Sequence, residues 1–389
     1  MEPDSVPSSN KGIQSVDDLL SSTLHAAPQD DYDAGISAAA GVSKVDYNKL
    51  YSFQNVISHS MEEVLNSCPR KFQLAKLAAG SAEGRPRYNN VTFAFGHAIG
   101  AGVAVYDKTQ SLRSAIWAAF LAWDIDFFAY EEHRPPRPDP KKSFAFVVYA
   151  LEKYATWHAE NMMDQYEVVE LEATVCVDLE TGDEGGEYYS SGPGGGDGFT
   201  RYIPTQYHTG HIDELLRHKV SGNLRVKENK TTSLTVVDPA MYANSNQTLG
   251  YSVVVAQFGA AEYDVLYTVY SSTEMRWISF DFPKTRLSRA QWLKTETQQA
   301  EVIRIYADDD FFPMRGSSCY SYNRQCEHFG SCNMDLKRQF GIKFSELPVA
   351  NLEALQQVEH FKYVTTRTEI VKQLRADLNK GGDNDSQDF

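Results

Sequence analysis

The chain has 389 residues, 42% hydrophobic, 12% aromatic and 23% charged, with a net charge of -15. Such a composition is globular, and the length allows one or two domains with a sizeable core. The acidic balance argues against a general nucleic-acid coat but leaves room for a local basic groove. Part of the excess sits in the tails: residues 1–45 hold seven acids against two bases, and residues 376–389 hold three more acids than bases. No apolar run is long enough to span a bilayer, and no basic-then-apolar leader is visible, so neither membrane insertion nor secretion is expected. The five cysteines are odd in number and lack a secretory context, which favours metal binding over disulfides.

Residues 1–45, rich in Ser, Ala, Asp and Gly, are expected to be disordered. From Ser58 the pattern turns helical, with Ser60 as a candidate N-cap and Met61, Val64, Leu65 and Phe72 as its apolar positions. Val91–Tyr106, Leu112–Phe128 and Lys142–Gln165 read as apolar helices, so 77–165 is expected to be a helical insertion. Glycines 96, 100 and 102 suggest close helix packing. Tyr166–Leu179 reads as a strand with Glu170, Glu172 and Thr174 on one face, followed by a Gly-rich loop over 182–198.

The next stretch, His208–Ser233, organises the rest. Two apolar runs, His211–Arg217 and Leu224–Glu228, flank the turn signal Ser221-Gly222-Asn223, a β-hairpin pattern. Glu228 and Lys230 stand two apart and share a face. If the register sets Asp213 opposite them, two carboxylates and one ammonium meet at a sheet edge. Paired carboxylates repel unless a divalent cation lies between them. Beyond the hairpin, Asp238-Pro239 opens a helix to about Gln257 that carries Gln247 and Tyr251 on one face. Tyr263–Ser271 and Met275–Phe282 read as further strands, Ser288–Ala307 as a helix, Phe311–Asn333 as irregular, and Val349–Ala376 as one long amphipathic helix.

The motifs Gly210-His-Ile-Asp213, Glu228-Asn-Lys230-Thr-Thr and Gln247-Thr-Leu-Gly-Tyr251 together resemble the G-x-x-D, E-x-K-T and Q-x-x-x-Y motifs of the PD-(D/E)XK nuclease superfamily, in its RecB-like branch. The resemblance covers roughly residues 55–335. It implies an α/β, restriction-endonuclease-like mixed sheet flanked by helices, and metal-dependent hydrolysis of DNA. Asp213, Glu228 and the backbone carbonyl of Asn229 would hold Mg²⁺ or Mn²⁺, Lys230 would position water, and Gln247 and Tyr251 would line the DNA path. Glu172, one strand earlier, is a further metal candidate, with Glu170 as its substitute.

Cys319, Cys326 and Cys332 are spaced C-x6-C-x5-C, unlike the close pairs of structural zinc. With Cys68, in Cys-Pro-Arg-Lys-Phe, they resemble the iron–sulfur subgroup of the same branch, which implies a [4Fe–4S] cluster clipping the C-terminal loop 311–333 to the N-terminal helices. Cys176 alternates into a strand and reads as core. Arg70, Lys71 and Lys76, with Arg85 and Arg87, form a candidate phosphate-binding patch. One departure is plain: where the branch carries G-x-x-x-H after Gly96, this chain has Gly100, and the adjacent His97 reads as structural.

The expectation is therefore a nuclease domain over 46–345, preceded by an acidic tail and followed by a C-terminal helix and tail at 346–389. It would be an exonuclease acting on DNA with single-stranded or free ends, in recombination, repair or replication, in the cytoplasm of a bacterium or phage-infected cell. The branch often has a helicase or recombination partner; no phosphate-binding loop of a motor is present here. The alternatives are a non-catalytic iron–sulfur DNA-binding or assembly protein, which Gly100 would suit, and a zinc-binding interaction module.

Overall fold

The structure is a computed structural model that describes residues 47–81, 91–127, 141–179, 187–190, 199–202, 206–259, 261–321 and 324–380. The acidic tail, Arg85 and Arg87, and most of the Gly-rich stretch lie outside these. The chain divides into two compact units, one containing 89–157 and the other 43–88 with 158–389.

The first unit is helical. Val91–Thr109, Leu112–Phe127 and most of Phe144–Glu160 build it. Gly102 explains one close approach: a Cβ there would lie 2.7 Å from the Leu151 methyls. Gly100 serves no such contact, since a Cβ would meet nothing within 4 Å, and His97, next to Gly96, is exposed.

The second unit carries the expected mixed sheet. In chain order its strands are β1 (Val56–Ser58), β2 (Tyr166–Asp178), a separate two-stranded ribbon of β3 (Glu187–Ser190) and β4 (Phe199–Tyr202), β5 (Tyr207–His218), β6 (Leu224–Thr232), β7 (Ala261–Ser271) and β8 (Arg276–Pro283). The short pair β9 (Tyr320–Ser321) and β10 (Arg324–Gln325) follows, and β11 (Tyr363–Thr366) comes last. Seven strands form one sheet in the order β11-β2-β5-β6-β7-β8, with β1 also on β5. The β5–β6 hairpin forms because Gly222 supplies the positive φ of 75° its turn needs. The step from β6 to its parallel neighbour β7 needs a crossover. The helices Ala240–Ala243 and Asn246–Val255 supply it, in place of the single helix expected. Residues Thr248–Val255 are all buried, which suits a helix apolar on every side.

The core lies between the sheet and the helices Asn246–Val255, Arg286–Asp308 and Arg367–Lys380. Val175, Ile212, Val226, Val253, Tyr267, Trp292 and Ile370 belong to one buried cluster. Cys176 is fully buried, as expected, and its surroundings push its thiol far above the ordinary range.

Two features depart from expectation. The C-terminal stretch is not one long helix: Leu352–Val358 is followed by β11, parallel to β2, and then by Arg367–Lys380. The β-branched run Val364-Thr365-Thr366 favours a strand where a free edge of β2 accepts one. Second, β5 changes neighbours along its length. Residues 207–209 pair with β1 and residues 214–217 pair with β6. Gly210–Asp213 between them pairs with β2 alone, apart from Asp213 itself, so the sheet opens at that point.

Candidate active site

The split in the sheet brings the sequence-predicted residues together. The β5–β6 ladder ends at Glu214↔Lys227, which sets Asp213 and Glu228 next in line. The amide that would continue the ladder is taken by a side chain instead: Asn229 N–H donates to Asp213 Oδ2 at 2.8 Å. Lys230 Nζ donates to Glu228 Oε1 at 2.6 Å and to Gln247 Oε1 at 3.1 Å. Gln247 Nε2 donates in turn to the Tyr251 hydroxyl at 3.2 Å, across one helical turn. Glu228, Lys230, Gln247 and Tyr251 thus form one connected network, with Asp213 held beside it through the Asn229 amide.

The electrostatics follow from crowding. Burial, then the Asp213 carboxylate, pushes Glu228 up to about 8, against the pull of Lys230. Burial also raises Asp213, although Lys230 and the Asn229 amide favour its charge. Desolvation acts to lower Lys230, yet Glu228 and Asp213 beside it raise it overall. The ammonium therefore stays charged at any physiological pH. Burial holds the Tyr251 hydroxyl neutral, well above its usual range. A lysine paired with Glu228 beside Asp213, while both carboxyls resist ionisation, marks a site short of positive charge, which a divalent cation would supply.

Glu172 stands in the same row. Register pairs Leu171↔Glu214 and Ala173↔Ile212 bracket it opposite Asp213, and Glu172 itself drops out of the ladder. Its φ is 50°, a left-handed conformation costly for a residue with a side chain. Although the residue is open to solvent on one side, enough protein surrounds its carboxyl for desolvation, then Asp213 and Glu228, to push it up to about 8. Glu170 pairs regularly opposite Leu215, and the irregularity that sets the two acids apart is the left-handed backbone of Glu172 itself. The Glu170 carboxylate pairs with Lys362 and accepts from the Tyr363 hydroxyl at 3.2 Å, so the substitute ligand is ruled out by its own partners.

Behind the site lies a buried ion pair absent from the sequence reading. Lys227 Nζ meets Glu214 Oε1 at 2.6 Å with both side chains fully buried. Asn229 Nδ2 donates to the same oxygen at 2.8 Å, and Asn229 Oδ1 accepts from the Thr268 hydroxyl. The side chain of Asn229 is thereby fixed, and the backbone between Glu228 and Lys230 with it. Nothing in the sequence marked it, since Lys227 and Glu214 each stand next to another charged residue in their strands.

The four cysteines also come together. Cys68, Cys319, Cys326 and Cys332 line one cavity, with Lys71, Leu74, Met314 and His328. Arg70 closes the loop by donating twice to the Cys332 carbonyl, at 2.9 and 3.1 Å, and Lys71 pairs with Glu327 at 3.4 Å. Burial raises the Cys332 thiol, with Cys68 and Cys319 adding to the rise and Arg70 opposing it. Four thiols around a shared space are a donor set that fits a thiolate-bound metal centre. Lys76 is a correction to the basic patch: it is fully buried and its ammonium donates to the Phe53 carbonyl at 2.8 Å and to that of Val56, so it cannot reach a phosphate.

A family model of the PD-(D/E)XK nuclease superfamily matches residues 56–333. The chain belongs to the PD-(D/E)XK nuclease superfamily. Its seven-stranded mixed sheet flanked by helices is a restriction-endonuclease-like arrangement. Members of the PD-(D/E)XK superfamily are mostly phosphodiester hydrolases that use divalent metals such as Mg²⁺ or Mn²⁺, and a nuclease domain implies DNA as substrate. No curated protein matches the chain. Among the described residues no helix is long and apolar enough to cross a membrane.

Proposed function

We propose that this PD-(D/E)XK protein is a metal-dependent deoxyribonuclease that degrades DNA from single-stranded ends. The observation that carries the reading is the Lys230 ammonium, held between Glu228 and Gln247 beside Asp213. Asp213, Glu228 and the Asn229 carbonyl are the ligands for Mg²⁺ or Mn²⁺, with Glu172 as a further one. When bound, such an ion lowers the pKa of water and offsets charge on the scissile phosphate. Lys230 orients the attacking water and stabilises the developing oxyanion charge. Gln247 fixes the ammonium, Tyr251 fixes Gln247, and both border the path of the DNA.

Cys68, Cys319, Cys326 and Cys332 hold a [4Fe–4S] cluster, a reading their shared cavity supports. Arg70 and Lys71 sit at the rim of that loop, where a phosphate would compete with Glu327 for Lys71. The setting that suits these features is recombination, repair or replication in a bacterium or a phage-infected cell, beside a helicase or recombination protein. Gly100, in place of the branch's usual His, favours a second reading: a protein of the same fold that binds DNA without cutting it.

The test uses end-labelled single-stranded DNA, linear duplex and closed circles, with Mg²⁺ or Mn²⁺. The expected result is loss of linear single strands, sparing of circles, and at least about a hundredfold slower loss with Asp213→Ala or Lys230→Ala. Equal degradation by native chain and variants would overturn the assignment. DNA binding with no cleavage by the native chain would establish the second reading.

A further inference from the structure

Outside the Lys230 network, three ionisable side chains from three elements meet in the interior. Glu62 comes from the helix His59–Ser67, His208 from β5, and Glu296 from the helix Arg286–Asp308. They are 1%, 3% and 1% exposed. One ligand atom from each lies within 4.8 Å of the other two, and His208 Nε2 stands 3.9 Å from Glu296 Oε2.

Their hydrogen bonds do not account for them. Glu62 Oε1 accepts from Asn246 Nδ2 at 3.0 Å and from Gln299 Nε2 at 2.9 Å. Glu62 Oε2, His208 Nε2 and both oxygens of Glu296 are buried with no donor in ordinary hydrogen-bond range, and the Glu62 and Glu296 carboxyls reach each other only as a pair in which one carries a proton. Each orphaned polar atom costs about 1–3 kcal/mol, more for a charged group, so a cluster of four calls for an occupant. Both carboxylates stand where their helices present an apolar stripe, Glu62 between Met61 and Leu65 and Glu296 between Trp292 and Ala300. Trp292 packs edge-on against the His208 ring at 5.6 Å and walls one side.

We infer that Glu62, His208 and Glu296 form a buried second metal site that binds a divalent transition cation, Zn²⁺ or Mn²⁺. One imidazole nitrogen with two carboxylates suits these ions better than the all-oxygen shells of Ca²⁺ or Mg²⁺. His59 Nδ1, also buried without a hydrogen-bond partner and 3.6 Å from Glu62 Oε2, offers a fourth donor. The role is structural. The ion ties two helices to β5, and through Glu62 it holds Asn246, the neighbour of Gln247. It therefore fixes the start of the helix that presents Gln247 to Lys230. The inference stands apart from the reading of Asp213 and Glu228 and from the cysteine cluster.

The rival occupant is a proton. Burial, then the Glu62 carboxylate, pushes Glu296 up to about 9, and a neutral Glu296 could share its proton with Glu62. Metal-stripped full-length chain, dialysed against Zn²⁺ or Mn²⁺ and analysed for bound metal, separates the two. Native chain and Asp213→Asn should both retain an equivalent that Glu296→Gln and Glu62→Gln lose. In an Asp213→Asn background, which disables the Asp213–Glu228 site, Mn²⁺, which thiols bind weakly, should raise the Tm by roughly 3–5 °C at about a hundredfold its dissociation constant, and this rise should vanish when Glu296→Gln is added. Equal metal uptake by Glu296→Gln and native chain would overturn the site. So would a Glu296→Gln variant that melts at the native temperature with or without Mn²⁺, the signature of a shared proton.

Discussion

A methyl group on Gly210 would stand 2.6 Å from Cε1 of Tyr251 and 3.1 Å from its hydroxyl oxygen. The glycine of the first motif is the seat for the tyrosine of the last. Gly210→Ala must therefore displace the ring, and with it the support of Gln247 and Lys230. Overpacking of this kind costs about 1–3 kcal/mol. Misplacing a reacting group by about an ångström costs on the order of a hundredfold in rate. Cleavage by Gly210→Ala should fall by roughly that factor while urea denaturation shows a still-folded protein. Activity within twofold of native would mean that Tyr251 does not position the lysine.

Raised carboxylates set a pH dependence. Glu228 and Glu172 each rise from 4.5 to about 8 in the folded, metal-free chain. The folded state then binds more protons than the unfolded state between about pH 4.5 and 8, so stability falls as pH rises through that window. In EDTA the Tm should drop from pH 5 to pH 8, and Glu228→Gln should flatten the slope in part, with Glu172, Asp213 and Glu296 remaining. Saturating Mg²⁺ should remove much of it, since the ion favours the charged carboxylates. Lys230, raised from an already high value, adds nothing in this range. A Tm that climbs with pH in EDTA would contradict the electrostatic account of the site.

Lys227 and Glu214 pair with both side chains fully buried. Lys227→Met takes the ammonium away from the buried Glu214 carboxylate and should destabilise the chain by about 3–5 kcal/mol, whereas the double change with Glu214→Leu should recover most of the loss. Denaturant midpoints of the three proteins give the comparison. If the single and double variants are equally unstable, the pair is not what holds β5 to β6.

The cysteine loop predicts colour. Chain purified without oxygen should be brown and carry about four irons, and Cys326→Ser should lose both. Arg70→Ala, which frees the Cys332 carbonyl, should bleach faster in air than the native protein. A colourless sample with one zinc per chain would replace the iron–sulfur cluster with a zinc site.

The hairpin and its site were legible because their signals are local. Ser221-Gly222-Asn223 marked the turn, and the two-residue spacing of Glu228 and Lys230 marked their common face. The motif order then placed Gln247 and Tyr251. What could not be read depends on partners distant in the chain. The left-handed Glu172 has no residue signature, and neither have the distant partners Lys362 and Tyr363 that engage Glu170. Lys76 looked like part of a basic surface because basic residues recur after Cys68, yet it is buried and its ammonium donates to the Phe53 and Val56 carbonyls. Glu62, His208 and Glu296 are far apart in sequence, and only folding makes them neighbours.

The last strand gives the C-terminal region a weight that a boundary at residue 345 would miss. β11 shields the outer rim of β2, Ile370 and Leu374 fill the core, and Glu359 meets His211 at 2.6 Å inside the Gly210–Asp213 motif itself. A gene trimmed to the motif-bearing portion would encode a sheet with a bare, sticky margin and a motif strand robbed of its carboxylate brace, prone to cling to its own copies before it ever met a nucleic acid.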